Sequence, residues 1–212
     1  MTLSNVNRIA DSHDCFLATE LKEIELINEE AKKTEYKPVI IWSKVVLHIS
    51  IHLGALYGLY LAVTVPTLKT WIWGITMLWY GGTGITAGSH RLWTHKSYKA
   101  NYWVRLFLLV GQTIATEGDV IDWTRDHRTH HKWSDSDADP HNIQRGFFFA
   151  HMGWLMQRKH PKVKEMGAKI DLSDLYAVPM LRFQRKYYVW LVLLSFVIIT
   201  AVPYYGWGET FE

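Results

Sequence analysis

The sequence predicts an all-α integral membrane protein, with transmembrane helices and a cytosolic helical cap that carries histidine clusters. Three observations predict it. Residues 45–68, 70–89 and 187–208 contain no Asp, Glu, Lys or Arg, and these runs of 24, 20 and 22 residues match a membrane-crossing helix. Nearly every charge falls instead in residues 1–44 and 91–186. Eight of the eleven histidines lie between His90 and His160, and none follows His160. A net charge of +3, scattered over 212 residues, is too small for a nucleic-acid binder. The lone Cys15 excludes an internal disulfide framework and fits a reducing compartment.

Residues 1–38 read as a polar arm with eight acids and five bases, unlike a signal peptide, and mixed charges support a short helix near Glu20–Lys33. Pro38 precedes an apolar helix over about 39–66, bounded by Pro66; a turn with Lys69 leads into a second over 70–89. So short a link makes the two a transmembrane hairpin. Lys32, Lys33, Lys37 and Lys44 before it, and Arg91, Lys96, Lys99 and Arg105 after it, place both ends in the cytosol. The next apolar stretch, 106–116, has 11 residues and reaches only about 16 Å as helix, and 147–156 is shorter still. Both should lie in the interface or dip in and return, which keeps the cap, 90–186, on the cytosolic side. Residues 187–208 cross again from an end anchored by Arg182, Arg185 and Lys186, and carry 209–212 to the opposite face. Gly81, Gly82, Gly84 and Gly88 make one helix face small, which suits close packing in lipid.

Two histidine clusters carry the chemistry. In His127-Arg-Thr-His130-His131, helical geometry sets His127 one turn before both partners, so His127 and His131 can close on one ion while His130 serves a second. His90 and His95 are five apart, off a single α-helical face, so the helix should fray or turn between them. Five imidazoles on one side of a membrane point to metal binding, and the donor set suits iron, zinc or copper. His48 and His52 read as satisfied residues of their helix, with a haem or metal role as the alternative. His13 reads as solvated; His141, His151 and His160 read as loop residues or hydrogen-bond donors to ligands.

From Gly84-Ile-Thr-Ala-Gly-Ser-His90-Arg-Leu-Trp-Thr-His95, through Asp122-Trp-Thr-Arg-Asp-His127-Arg-Thr-His-His131-Lys and Asp137-Ala-Asp-Pro-His141-Asn, to Arg145-Gly-Phe-Phe-Phe-Ala-His-Met-Gly-Trp154, the chain resembles the membrane acyl-CoA desaturases of the stearoyl-CoA, or Δ9, type, insect relatives included. The resemblance covers 39–212 as a partial desaturase domain. It implies an endoplasmic-reticulum enzyme that inserts a double bond into a long-chain acyl-CoA, using a non-haem di-iron centre, O2 and electrons from cytochrome b5 and its NADH-dependent reductase. It further implies that His90, His95, His127 and His131 bind one iron and His130 the other. By the same resemblance, Arg125, Arg158 and Lys159 contact the CoA head, and Trp123 lines the acyl tunnel near its bend.

Two departures stand out. Where the family commonly has Gln followed by Asn or Asp, the chain has Glu117-Gly118, and the family's third cluster, HxxHH, has no counterpart after His160. The expectation is a fragment of a desaturase, inactive alone. The alternatives are a non-catalytic truncated partner of a full-length enzyme and a related membrane di-iron hydroxylase.

Overall fold

Without charges to solvate, the three apolar runs satisfy their backbone groups internally, and helix is the conformation that does so within one segment. The computed structural model describes residues 21–33, 36–64 and 66–210, so Cys15, His13, most of the polar arm and 211–212 lie outside the described residues. Every regular element among the described residues is helical, with one isolated bridge between Ile40 and Gln157.

The chain divides into two units, one from its N-terminal part through Lys44 with Thr129–Lys169, the other from Val45–Arg128 with Ile170–Glu212. The second contains most of the apolar helices. Helix α1 covers 21–32, α2 is Trp42–Thr64, and α3 is Leu68–Thr83. Helix α3 does not fray at its end. It continues as a π-helix over Gly84–Thr94, whose last turn bonds the His95 N–H to the His90 carbonyl at 3.0 Å. The sequence-based expectation of a break between the two histidines is therefore wrong. It assumed the 3.6-residue period, whereas i→i+5 bonding brings residues five apart into successive turns.

Helix α4, Tyr102–Ala115, contains most of the 106–116 stretch and is capped by the Asn101 side chain, which accepts from the Val104 N–H at 3.0 Å. It packs tightly on the α3–π segment: a Cβ on Gly84 would collide with the backbone of Gly111 and Gln112. Thr116 and Gly118 take positive φ, 60° and 94°, and turn the chain into α5, Val120–Lys132. Asp119 opens α5 by accepting from the N–H groups of Ile121 and Asp122, at 3.0 and 3.1 Å. Leu92, Trp93, Leu108, Ile121, Leu175 and Leu181 form the buried core of this unit.

Beside that core, two buried glutamines join three segments. Gln184 accepts from the Val120 N–H and donates to Gln112 and Thr113, and Gln112 donates to the Gly118 carbonyl. Gln184 belongs to the last helix, Pro179–Trp207, which bends at Tyr187. This helix and α2 are long and apolar enough to cross a bilayer, and no residue of α2 is buried. Leu56, Val63, Trp190 and Val197 are each at least 64% exposed, an apolar surface that suits lipid rather than water.

In the other unit, α1 buries Ile27 and Ala31, and Glu23 accepts from the Trp133 indole at 3.1 Å. The 147–156 stretch is two short turns, α6 at Phe147–His151 and a 3-10 turn at Gly153–Met156. Backbone bonds from Ile41 to Met156 and from Arg158 to Val39 lead to α7, Pro161–Ala168. His160 caps α7, accepting from the Lys162 N–H, with Tyr36 set edge-on against its ring.

Candidate metal centre and its surroundings

The π-helix and α5 together place three imidazoles. His90 and His95 have ring centroids 4.6 Å apart, and His127 lies 4.8 Å from the first and 5.5 Å from the second. One ligand nitrogen from each lies within 4.8 Å of the others, a spacing that one metal ion can bridge. His131 stands one turn beyond His127 on the same helix. Burial, then the neighbouring His95 and Arg91, lowers the His90 pKa and favours the neutral imidazole that ligates metals.

Trp123 stacks on His127, centroids 4.7 Å apart, and meets His90 edge-on at 6.5 Å. Its indole N–H donates to Glu117 at 3.0 Å, so the residue that departs from the expected pattern holds the tryptophan. Arg125 lies against carboxylates of its own helix, 2.8 Å from Asp122 and 3.3 Å from Asp126. Thr94 and Thr124, both buried, touch where the π-helix meets α5.

His130 has different surroundings. Its Nδ1 lies 3.0 and 2.9 Å from the two oxygens of Asp139, whose side chain is fully buried. The ring of His141 is 4.1 Å from that of His130, and these three residues form a second potential metal-binding group.

No protein-family model matches the chain. Comparison with individual proteins does find relatives. The chain is 53% identical over 196 residues to the Δ9-fatty-acid desaturase fat-6 of Caenorhabditis elegans, an alignment that covers 92% of the chain and 58% of the relative. It is 52% identical over 183 residues to stearoyl-CoA desaturase of Homo sapiens, covering 85% and 49%, and 53% identical over 173 residues to an acyl-CoA desaturase of Cyprinus carpio, covering 81% and 53%. Over most of its own length the chain is similar to acyl-CoA desaturases. It spans about half the length of the curated relatives it matches.

Set beside the desaturase pattern, the structure brings His90, His95 and His127 together as one group and puts His130 in another. Arg158 and Lys159 line one cavity of about 280 Å³ with Lys44 and Lys164, a cationic pocket that Trp154 and Leu155 also line. Sequence reasoning missed three residues. His141 was read as a loop residue, yet its ring packs on His130 and lies 5.5 Å from Trp154. Asp139 was seen only as part of a motif. Arg128 was passed over between two histidines. Its guanidinium donates to the Trp93 carbonyl at 2.8 Å and to both oxygens of Asp174, at 3.0 and 2.9 Å. It thereby ties α5 to the π-helix and to the short helix Ser173–Tyr176. Its one advance signal is chemical: an Arg between clustered histidines has five donors to place and is costly to bury without acceptors.

The donor set fits a transition metal. Several imidazoles converge, one of them biased to its neutral form, with aromatic and helical support that fixes their orientation.

Proposed function

We propose that the chain is the part of a fatty acyl-CoA desaturase that carries two of its histidine boxes and the acyl-CoA entrance. The observation that carries this is the convergence of His90, His95 and His127 within a stretch 53% identical to a Δ9-desaturase. In this reading His90, His95, His127 and His131 hold one iron and His130 the other, the remaining ligands coming from sequence that the relatives have beyond the matched half. When bound, the iron pair supplies the oxidising chemistry, with O2 and two electrons from cytochrome b5 and its NADH-dependent reductase, that removes hydrogen from an unactivated methylene.

The chain's own residues do the rest. A groove of about 520 Å³, lined by Met77, Gly81, Gly82, Ile114 and Ala115 and ended by Glu117, offers an acyl chain an apolar path. Its glycines supply the width that an acyl chain needs. Glu117 fixes the Trp123 indole, which turns the path toward His127. Arg158 and Lys159 offer cations to the phosphates of CoA, whose anionic head stays outside the membrane, and the desaturase pattern assigns Arg125 to CoA as well. The positive residues flanking the spans orient this face, and the N-terminus, to the cytosolic side of the endoplasmic-reticulum membrane.

The test is a chimera. The chain is joined to the C-terminal part of the C. elegans relative and expressed in a host without desaturase. Monounsaturated fatty acids are expected from the chimera and none from its His95→Ala or His127→Ala forms. A chimera present at normal level in the membrane, but producing saturated acids only, would overturn the reading.

A further inference from the structure

The loop after α5 is knotted by its own side chains. Ser136, fully buried, donates to the Trp133 carbonyl at 2.7 Å, and its own carbonyl accepts from the Asp139 N–H and from the Asn142 amide, at 3.0 and 2.9 Å. Pro140 removes one backbone freedom between the residues so held. The knot presents the Asp139 carboxylate to two backbone N–H groups and one ring nitrogen at once. The Asp135 N–H reaches Oδ2 at 2.9 Å, the His141 N–H reaches Oδ1 at 3.0 Å, and His130 Nδ1 is within 3.0 Å of both. The Nδ1 of His141 stands at 3.7 Å, beyond hydrogen-bond length.

Two of these partners are backbone N–H groups, which can only donate. A buried carboxyl group that accepts from both of them is stabilised as the anion, and an anionic carboxylate has no proton to give. The third partner must then donate as well. We propose that Asp139 is a positioning residue that locks His130 as the Nδ1–H tautomer, so that Nε2 carries the lone pair and is the atom His130 gives to a metal. Asp139 is thus not itself a ligand, although it lies within the second potential metal-binding group: its oxygens are committed to orienting the ring. A carboxylate on the far nitrogen of a ligating histidine also raises the basicity of the near one. This assignment rests on the metal-binding reading of His130 above and gives the Asp-Pro-His-Asn stretch a physical task.

The test reads the tautomer directly. The full chain is labelled with ¹⁵N-histidine, embedded in lipid nanodiscs, freed of metal, and examined at pH 8 by long-range ¹H–¹⁵N correlation of the imidazole rings. The His130 signals are identified by their loss in His130→Gln. The expected result is protonated Nδ1 and unprotonated Nε2 at His130. In Asp139→Asn, whose amide can donate to the ring, the pattern should invert to Nε2–H, and cobalt(II) titration should show about 10–100-fold weaker binding at His130. An Nε2–H His130 in the unmodified chain overturns the proposal, and that measurement needs no variant to fold. So does an Asp139→Asn chain that keeps Nδ1–H and binds cobalt(II) within twofold of the unmodified chain. An Nδ1–H His130 in a chain that takes up no cobalt(II) supports the tautomer assignment and counts against the metal reading instead.

Discussion

At the scale of single residues, the site depends on fixed imidazoles rather than on histidine count. If the converging rings hold iron as proposed, removing one of them, in His95→Ala or His127→Ala, should lower the iron content of the purified protein, measured by elemental analysis, by at least half, with helicity unchanged. Arg128 acts at one remove. Arg128→Lys keeps the charge but loses the paired bonds to Asp174 and the Trp93 carbonyl, and should cost about 1–3 kcal/mol in chemical unfolding. Burial opposes ionisation of Asp174, but hydrogen bonds from Arg128 and Lys96 outweigh it and hold the carboxyl at about 2. A carboxyl depressed in the folded state stabilises above its unfolded value, near 4, and loses that contribution as pH falls toward 2. Unfolding between pH 5 and 2 should therefore show an acid-sensitive loss of about 1 kcal/mol after solvent screening, absent in Asp174→Asn. The pairing of His127 with His131 was legible in the sequence because residues four apart share one face of an α-helix, whereas that of His90 with His95 needed the π-helix. Asp139 and His141 were not legible, because a loop brings them to His130 and loops leave no periodic trace.

At the scale of elements, the uncharged runs predicted helices, and α2 occupies Trp42–Thr64 of the expected 39–66. What periodicity could not show is winding. A pattern search presumes 3.6 residues per turn, and the segment 84–94 does not obey it. Nor could apolarity reveal that Gln112 and Gln184 are buried together, since a polar residue in a mostly apolar stretch reads equally as exposed. The small face at Gly84 was legible, and its use is now specific: it lets α4 approach backbone to backbone. Gly84→Leu should destabilise the fold by about 1–3 kcal/mol or more, because the obstruction is main chain and cannot rotate away. Thermal denaturation in detergent would measure it, with Gly82→Ala, which meets open space and should not destabilise, as the comparison.

At the scale of the molecule, the far end of the last helix returns to the start of α3. Glu209 accepts from the Thr67 N–H at 2.9 Å and from the hydroxyls of Thr67 and Thr70, while the Trp207 indole donates to Thr70 at 2.7 Å. These hydrogen bonds, those from Thr67 and Thr70 foremost, hold the Glu209 carboxyl at about 2. The proposed topology puts this end opposite the histidines, and a glycosylation acceptor checks that. Inserted near residue 67 it should be modified in microsomes, whereas one inserted near residue 137 should not. The reverse pattern would invert the orientation inferred from flanking charge. Composition made the division between apolar and charged stretches plain from the outset. The tie between Glu209 and Thr67 was invisible, because 142 positions separate the partners.

The π-helix gives this region a vulnerability of length rather than of identity. Its 11 residues wind more loosely than an α-helix, so each turn holds about one residue more than an α-helical turn. Deleting a single residue between 84 and 89 would let the bonds fall back to i→i+4 and swing His90 away from His127, even with every histidine retained. An in-frame loss of three nucleotides there should therefore empty the site as surely as replacing a ligand.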